Sequence, residues 1–400
     1  MKLFITAFFA LVSAAVGAQS VGVILTPSAD DIVFYESFDK IMGKGGNDGT
    51  FVPKDVALTS TSLFDNSNGA DQKGLLQGYK CIYMGSRKLY YYTTPSLSVI
   101  PTGKVLLSFR MLARSYYVEK SDYLTIECTG DASLSVSEFT AEKEIWKTYY
   151  TVVDNMETTS KFTFKSGFSF FDDITMYAVS SVLDQSRNNN TYIIANAGQT
   201  LDVPLIRTLA PNTWCPLCLP FNITQSQMET ATGTTCELCT LTDIVDGVFV
   251  FDKTTSVSAG TPFLVKVNEQ VENPVFTGVT VINTPAVTVT GTASGYSFVG
   301  TYSPVSLNND GTHLFLDKEG NLCQPDSEEG HNCLNGLRAY FVVPESSEAR
   351  VFISDTTSEV SRINTTPVVH NDTYDLNGRR IDAAYSKGLR IQNGRKFLAR

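Results

Sequence analysis

The chain has 400 residues, which is enough for two or three domains that each bury a hydrophobic core. Its formal net charge is −10, because 41 acidic residues outnumber 31 basic ones. A nucleic-acid-binding protein is expected to carry a basic face, so this charge argues against that class. Only 18% of the residues are charged, while Thr, Ser, Tyr and Phe are plentiful. The composition favours strands, since β-branched and aromatic side chains pack well on a pleated sheet.

The first 18 residues have the pattern of a secretory signal peptide. Lys2 precedes a short apolar run from Leu3 to Val16, and small residues then lead to Gln19 as the expected mature N-terminus. The run is too short for a comfortable membrane span, and no later segment is apolar enough to cross a bilayer. We therefore expect an exported protein without a transmembrane span, on the outer-membrane surface, in the medium or in the periplasm. Its cysteines would then meet an oxidising compartment.

Short strand-like runs follow at intervals of about ten residues, with Gly, Asn, Asp, Pro or Ser between them. Such spacing is typical of an all-β sandwich. We predict one domain of this class over residues 24–182 and a second over residues 191–356, joined by a linker, LDQSRNNN. Thr224-Gln225-Ser226-Gln227 fits the capping box of one short helix. Residues 372–400 form a short C-terminal β segment that is locally basic, in contrast to the acidic body.

Two cysteine pairs, in TWCPLCLPF (213–221) and CELC (236–239), allow several interpretations. W-C-x-x-C is the spacing of a thioredoxin-type redox site, and Gly260-Thr261-Pro262 resembles the cis-proline loop of that class. Such a site needs a helix directly after the motif, because the helix N-terminus lowers the pKa of the first thiol. Pro220 disfavours helix at Leu219, and the surrounding runs indicate strands without a βαβ context. The redox interpretation is therefore a minor alternative.

The same cysteines also have the C-x2-C-x17-C-x2-C spacing of a zinc ribbon. Neither second cysteine is followed by the Gly that usually turns a zinc knuckle, and an oxidising compartment favours disulfides, so zinc is disfavoured. Disulfides or buried strand thiols fit better, with the connectivity open. Cys81 and Cys128 lie in separate predicted strands and fit core thiols. The candidate disulfide cysteines are Cys215, Cys218, Cys236 and Cys239, with Cys323 and Cys333 flanking the loop QPDSEEGHN.

Oxygen-rich segments of the first domain predict a structural calcium site. Glu36-Ser37-Phe38-Asp39 ends the first strand, GGNDG (45–49) is a tight loop, and Asp172-Asp173 begins the last strand. A jelly roll brings its first and last strands together, and calcium requires several carboxylate and carbonyl oxygens. The alternative is that these acids are solvated loop ends and that GGNDG is merely a turn. The candidate ligands are Glu36, Asp39, Asn47, Asp48, Asp172 and Asp173.

The sequence contains no P-loop, no G-x-S-x-G and no H-E-x-x-H motif. Its three histidines, His313, His331 and His370, are scattered, and nothing indicates that they converge as ligands or bases. The run Leu89-Tyr90-Tyr91-Tyr92 offers a sugar-stacking platform, although alternating Tyr in a strand usually packs on a core or cross-strand partner. Trp146 and Trp214 are interpreted as core anchors. We therefore identify no catalytic residue.

Residues 31–178 resemble the N-terminal jelly-roll domain of many secreted Bacteroidota proteins. The matching segments are YESFD (35–39), GKGGNDG (43–49), GYKCIYMGS (78–86), TTP (93–95), WKTYYTVV (146–153) and FFDDITMY (170–177). The first and last segments are also similar to MAM-type and galactose-binding-like modules, in which acids on the equivalent strands hold a structural cation. That resemblance implies Asp39 and Asp173 as the best candidate ligands. Thr50-Phe51 stands where those relatives often carry Trp-Ser, which is a departure from the pattern.

Residues 191–355 resemble an uncharacterised β domain of the same proteins. The matches are Trp214, CLPF (218–221), AGTPFLVKV (259–267), NPVFTGVTV (273–281), GYSFVGTYSP (295–304), HLFLD (313–317) and LRAYFVVP (337–344). In that pattern CLPF and AGTPFLV are ordinary strands, so the similarity to thioredoxin is a coincidence. The tail segments YDLNGRR (374–380) and KGLRIQNGRKFLAR (387–400) resemble a C-terminal sorting segment of type IX secretion. The resemblances imply an exported protein and a type IX-like secretion machinery as partner, but no known activity.

Together these observations predict an exported, non-catalytic surface or secreted protein. Its jelly-roll and second β-sandwich domains are expected to bind a glycan or a host protein, where the glycan rests on analogy of fold alone. One alternative is a structural or adhesive envelope protein without a small ligand. Another is a thiol oxidoreductase that uses Cys215 and Cys218. We expect no nucleic-acid partner.

Overall fold

The computed structural model describes residues 25–51, 56–85, 90–97, 103–114, 123–317, 321–325, 332–345, 347 and 349–354, together with the backbone of five short strands beyond them. The signal peptide, Leu89, His331 and His370 lie outside the described residues. Within that part of the chain the elements are nearly all strands, so the all-β prediction is confirmed. No helix among the described residues is long and apolar enough to cross a membrane.

The chain divides into two compact units. The first comprises the described residues within Met1–Arg207, with Pro220–Asn222 and Asn273–Pro285. The second comprises the described residues within Thr208–Leu219, Ile223–Glu272 and Ala286–Arg400. The first unit runs on to Arg207, past the predicted boundaries at 182 and 191, and two later segments of the chain also belong to it.

The first unit contains fifteen strands, two short 3-10 turns (Ala29–Asp31 and Thr61–Leu63) and one short helix. Its strands are β1 (Ile32–Glu36), β2 (Asp71–Lys73), β3 (Leu75–Gln77), β4 (Ile82–Met84), β5 (Tyr90–Thr93), β6 (Gly103–Ala113), β7 (Tyr123–Cys128), β8 (Ser133–Leu134), β9 (Glu138–Thr140), β10 (Lys147–Met156), β11 (Phe162–Ser166), β12 (Ser169–Ala178), β13 (Leu183–Asp184), β14 (Thr200–Ile206) and, from the returning segment, β23 (Val275–Thr280). The helix is α1 (Asn190–Ala195).

The remaining strands belong to the second unit, with one helix, α2 (Gln225–Thr232). They are β15 (Thr208–Leu209), β16 (Trp214–Cys218), β17 (Ile223–Thr224), β18 (Cys236–Val245), β19 (Val248–Thr254), β20 (Ser256–Val257), β21 (Pro262–Val267), β22 (Val271–Glu272), β24 (Thr288–Thr290), β25 (Ser297–Thr301), β26 (Val305–Ser306), β27 (His313–Leu316), β28 (Leu322–Cys323), β29 (Cys333–Leu334), β30 (Arg338–Val342), β31 (Arg350–Ser354), β32 (Ser361–Arg362), β33 (Thr373–Tyr374), β34 (Arg380–Ile381), β35 (Gly388–Gln392) and β36 (Arg395–Ala399).

Two sheets form the sandwich of the first unit. The larger has the order β3-β4-β12-β6-β10-β8, with β1 also paired to β12, and the smaller has the order β2-β5-β11-β7-β9. The chain alternates between the sheets from β4 to β7 and again from β10 to β12, which is the crossing pattern expected of a jelly roll. Phe109 and Phe171 of the larger sheet meet Phe164 of the smaller one, with ring centroids 5.9 and 4.9 Å apart.

Strand β6 is buried on both faces, which explains why it reads as an almost continuous apolar run. Val105, Leu107 and Phe109 face the sandwich core. On the outer face, Leu106 packs at one end beneath α1, in a cluster with Val152, Ile194 and Ala195. At the other end, Leu112 packs in a second outer cluster with Cys81, Tyr83 and Phe170, against which Trp146 is placed. A polar stretch lies between these two clusters.

The segment predicted as a linker forms part of the first unit. Leu183 is fully buried in β13, which pairs with β14, and Asn189 is also buried. The carboxylate of Asp31 accepts a hydrogen bond of 2.8 Å from Arg187. The Asn, Asp and Ser residues that suggested a linker instead bond to nearby backbone groups, as when Asn189 Oδ1 accepts from the Asp184 N–H at 2.9 Å.

The second unit also packs two sheets around a core. A six-stranded sheet, β16-β21-β18-β19-β31-β32, contacts a five-stranded sheet, β24-β25-β30-β27-β28. Phe249 and Phe251 of β19 make edge-to-face contacts with Phe341 and Phe298, at centroid distances of 4.9 and 5.2 Å. Short two-stranded pairs complete the unit.

The single helix predicted from sequence is confirmed as α2. Thr224 is its N-cap, and the reciprocal bonds of a capping box with Gln227 are both present. The helix ends at Gly233, whose φ of 70° allows the left-handed cap. Further along the chain, strands β33 to β36 pair into a four-stranded antiparallel sheet, in agreement with a C-terminal β segment.

Candidate functional site

Polar side chains occupy the outer face of the larger sheet of the first unit, between its two apolar clusters. Neighbouring strands β1, β12 and β6 supply them, and the pairings of Tyr35 with Thr175 and of Asp172 with Arg110 bring them together. Outward positions such as these are expected to be polar when no second layer covers the sheet. We define the polar strip as Tyr35, Ser108, Arg110, Asp172, Asp173 and Thr175.

A β-bulge in β12 creates the acidic part of the polar strip. Asp172 pairs with Arg110 and Thr175 pairs with Ser108, so β12 has one more residue than β6 over this stretch. Asp173 is the extra residue, and its φ of 48° places it in the left-handed region. In a regular strand Asp173 would point to the opposite face from Asp172. The bulge instead directs both carboxylates toward Arg110.

Arg110 is the centre of the polar strip. Its Nη1 donates to Oδ2 of Asp173 at 2.8 Å and lies 3.4 Å from Oδ2 of Asp172. Its guanidinium carbon lies 4.8 Å from the centre of the Trp146 ring, which is a cation–π contact. Nε and Nη2 donate to no group among the described residues, and a third of the side chain (33%) is exposed. The guanidinium is thus held on one edge and one face, while the other edge stays open.

Asp172 is a buried carboxyl group, with only 2% of the residue exposed. Its Oδ2 accepts a hydrogen bond of 2.8 Å from Nδ2 of Asn47, whereas Oδ1 has no hydrogen-bond partner among the described residues. Burial raises the pKa of Asp172 to about 7, an effect that Asn47 and Arg110 offset in part. The carboxyl is therefore poised between its neutral and ionised forms near neutral pH.

Tyr35 forms the exposed side of the polar strip, with 47% of the residue accessible. Its hydroxyl donates to Oδ1 of Asp173 at 2.7 Å. Partial burial, this hydrogen bond and the neighbouring carboxylates raise the pKa of Tyr35, so the phenol keeps its proton. The ring thus presents an apolar surface next to a fixed Arg–Asp pair.

The other candidate calcium ligands have separate partners. Glu36 is fully buried and accepts hydrogen bonds from the backbone N–H groups of Asp65 and Asn66, at 2.7 and 2.9 Å. Desolvation raises the pKa of Glu36 although these hydrogen bonds lower it. Asp39 is exposed and pairs with Lys80 at 3.3 Å. Both carboxylates therefore have roles that need no metal.

Asp48 closes the GGNDG loop on itself. Its Oδ2 accepts from the Gly45 N–H at 3.0 Å, and its Oδ1 accepts from the N–H and the hydroxyl of Thr50, at 2.8 and 2.7 Å. Although desolvation acts to raise the pKa of Asp48, these hydrogen bonds together lower it. The neighbouring Asn47 points the other way and bonds to Asp172.

The structure therefore brings together three of the six predicted calcium ligands, namely Asn47, Asp172 and Asp173, around Arg110. A guanidinium already supplies a positive charge to the two carboxylates at this point. Among the described residues, no group of three or more His, Cys, Asp or Glu side chains is arranged to hold a metal ion. Calcium binding stays a prediction from sequence.

The cysteine motifs lie on strands rather than at the start of a helix. Cys215 and Cys218 belong to β16, and Cys236 and Cys239 belong to β18. Side chains three positions apart on a strand point to opposite faces, so neither C-x-x-C pair converges. The structure contains all eight cysteines as free thiols.

Strand β21 separates the two cysteine motifs, because β16 and β18 pair with its opposite edges. Strands two apart in a sheet lie about 9.5 Å from one another. That exceeds the roughly 7 Å between Cα atoms that a disulfide spans, and a zinc ion needs its ligands closer still. Burial raises the pKa of Cys218, the second cysteine of the W-C-x-x-C motif.

Two further cysteines were also candidates for a disulfide. Cys323 ends β28, where its thiol lies 3.5 Å from Oδ2 of Asp317, and Cys333 is exposed at the start of β29. Both are free thiols in the structure.

The tyrosine run packs mainly inward, as the alternative interpretation suggested. Tyr92 is fully buried and meets Phe38 and Phe64 edge to face, at centroid distances of 5.3 and 5.0 Å. Tyr91 lies on the outer face of the smaller sheet, where its hydroxyl donates to Asp71 at 3.1 Å. His313 accepts from the Asn308 N–H at 3.0 Å on Nδ1, which gives it a structural role.

Sequence reasoning missed Arg110 and Tyr35, and it interpreted Trp146 only as a core anchor. A signal for Arg110 was present, since it is the single charged residue in the apolar run VLLSFRMLA (105–113). A charge in the interior of a buried strand requires a partner. Asp172-Asp173 in FFDDITMY was the matching acidic pair, but the pairing of β6 with β12 could not be read from the sequence.

No protein-family model matches the sequence, and neither does any curated protein sequence. The class that the structure shows is that of an all-β protein, with two packed sheets in each unit. The resemblance to secreted jelly-roll proteins stays a prediction.

Proposed function

We propose that the protein is an exported, non-catalytic binding protein and that the polar strip holds its ligand, a glycan or an extracellular protein. The bulge at Asp173 carries this proposal. A non-Gly residue at positive φ costs about 1 kcal/mol or more of strain, and bulges of this kind often re-aim side chains at functional sites. Here the bulge adds a second carboxylate to an already paired arginine on a sheet face that needs no further polar group to fold.

The composition of the polar strip also supports ligand binding. A binding surface combines an aromatic ring that loses little entropy with charged groups held in a fixed geometry. Tyr35 is such a ring, and its hydroxyl is already fixed on Asp173. The outer face of the smaller sheet differs, because it carries a Lys165–Glu127 pair and Thr side chains with the regular alternation of a solvated surface.

The test compares wild-type protein with Tyr35→Ala on an array of glycans and immobilised extracellular proteins. Tyr91→Ala is the matched control, since it removes a Tyr whose hydroxyl also meets an Asp, on the opposite sheet. We expect the wild type and the control to bind the same ligand, and Tyr35→Ala to lose it. Equal binding by all three proteins would contradict the assignment of the polar strip, and self-association without any ligand would favour a structural envelope protein.

A further inference from the structure

The Arg110 guanidinium is already arranged for a ligand before one arrives. Trp146 supports one face at 4.8 Å from the ring centre, and Asp173 holds Nη1 at 2.8 Å. A side chain fixed in this way loses little conformational entropy when it binds. The edge formed by Nε and Nη2 has no acceptor among the described residues, although the side chain is a third exposed.

That open edge matches a pair of neighbouring acceptor atoms, because two parallel N–H groups point the same way. Carboxylates, phosphates and vicinal hydroxyl groups all present such pairs. Local charge decides among them. Asp173 already neutralises Arg110, and Asp172 adds a second carboxyl beside it. The chain as a whole carries −10, so an anionic ligand would meet repulsion rather than attraction.

The exposed ring of Tyr35 supplies the second half of the recognition. Its hydroxyl is bonded to Asp173, which in turn is bonded to Arg110, so the ring and the guanidinium are held next to each other. A pyranose ring presents C–H groups on its faces and hydroxyl pairs at its rim. The face of the sugar can pack on an aromatic ring while two of its hydroxyl groups accept hydrogen bonds from a pair of N–H donors.

We propose that the polar strip recognises an uncharged glycan, whose vicinal hydroxyl groups accept hydrogen bonds from Nε and Nη2 of Arg110 while a sugar ring packs on Tyr35. This inference rests on the proposed function, for which it names the ligand class. Arg110 and Tyr35 are the ligand-contacting residues, and Asp173 and Trp146 position the guanidinium.

The experiment measures the affinity of the full-length mature protein for two sets of polysaccharides, by affinity electrophoresis and calorimetry. The neutral set contains dextran, mannan and laminarin, and the acidic set contains polygalacturonate, hyaluronan and heparin. We expect binding within the neutral set. Arg110→Lys keeps the positive charge but loses the two parallel N–H donors, so its affinity for the glycan should fall roughly tenfold. The affinity of Tyr35→Ala should fall by a similar factor. Tyr35→Phe keeps the ring and should lose less than about threefold.

The outcomes separate the inference from the proposed function. Binding of the acidic set alone, retained in Arg110→Lys, would overturn the neutral-glycan assignment while the polar strip remained the binding face. Binding of neither set would also overturn it, and loss of an immobilised extracellular protein in Tyr35→Ala would then still support the proposed function. If Arg110→Lys and Tyr35→Ala bound the neutral polysaccharides as tightly as the wild type does, the neutral-glycan assignment and the proposed function of the polar strip would both be overturned. Because Tyr35 is exposed, Tyr35→Ala is informative even if Arg110→Lys fails to fold.

Discussion

Nδ2 of Asn47 donates a hydrogen bond of 2.8 Å to Oδ2 of Asp172, across 125 positions of the sequence. This contact joins the GGNDG loop to the centre of the larger sheet. It also places a neutral amide against the most buried carboxyl group of the polar strip, closer than the Arg110 Nη1 atom, which lies 3.4 Å from the same oxygen. The ionisation of Asp172 should therefore influence the stability of the first unit.

Asp172→Asn should flatten the pH dependence of stability. Burial raises the pKa of Asp172 from 3.8 to about 7, so the folded protein keeps a proton that the unfolded chain releases. The stability contributed by the protonated carboxyl is fully present below about pH 4 and is lost as the pH rises through about 7. Across this pH range, the free energy of unfolding that the protonated carboxyl contributes falls by an amount on the order of 4 kcal/mol. Asn cannot ionise and lacks this loss.

Urea unfolding of both proteins at about pH 5 and about pH 8 measures this effect. Other titrating groups are common to the two proteins and cancel in the difference between them. A wild type and a variant that lose the same free energy of unfolding over this range would show that Asp172 titrates normally.

Gly46→Ala should destabilise the first unit. A Cβ atom at this position would lie 2.4 Å from Sγ of Cys81 and 3.1 Å from Cδ1 of Phe170, and φ is +87°. We expect a loss of about 2–4 kcal/mol, from overpacking together with backbone strain. Gly49→Ala is the control, because its φ is +77° but no atom lies within 4 Å. It should cost about 1 kcal/mol from strain alone. If Gly46→Ala and Gly49→Ala lowered the free energy of unfolding equally in chemical denaturation, close packing beneath the loop would be refuted.

Glu36→Gln should cost more than Asp39→Asn. The buried carboxylate of Glu36 accepts from two backbone N–H groups, and an amide would turn an N–H toward one of them. The loss should be about 1–3 kcal/mol. Asp39 has only an exposed pair with Lys80, so its replacement should cost less than about 1 kcal/mol.

The same pair of variants tests the calcium prediction. Thermal melts with calcium and with a chelator would show a calcium-dependent rise in Tm for the wild type if a site exists. If Glu36 and Asp39 were ligands, both variants would lose that rise. A rise that both variants retain would exclude these two residues from any site.

Alkylation should follow the burial of the thiols. Cys333 is exposed and should be modified first in the native protein. Cys218 and Cys239 are fully buried, and desolvation raises the pKa of Cys239 to about 12, so both should react only after unfolding. Peptide mass spectrometry identifies each site. Free thiols become labelled in denaturant without reductant, whereas any cysteine that needs reduction first would be in a disulfide, as the sequence suggested.

Much of the fold followed from local patterns. The short runs bounded by turn residues predicted strands, and the capping box at Thr224 predicted the start of α2, because both signals depend on near neighbours in the chain. The division into units did not follow, since Asn273–Pro285 returns to the first unit through contacts with β14, far away in sequence. Composition does not encode such long-range pairings.

The site was predictable only in part. The first and last strands of the jelly roll do pair, as β1 with β12, but Glu36 and Asp39 have other partners. Of the six predicted ligands, only Asn47, Asp172 and Asp173 lie together. Their partner Arg110 lies in a middle strand, and only the register of β6 against β12 places it there. The cysteine motifs were ambiguous for a related reason. A C-x-x-C spacing brings two thiols together on a helix and separates them on a strand.

The bulge at Asp173 has a consequence for how this surface can vary. Phe171 and Ile174 both face the core, and Asp172 and Thr175 both face outward, so removing Asp173 would leave the inward and outward alternation of β12 intact. The carboxylate that holds Arg110 is thus a one-residue insertion into an otherwise regular ladder. A lineage can gain or lose it without repacking the core. The charge of the polar strip can therefore change by single-codon insertion and deletion, a freedom that protein surfaces usually reserve for loops.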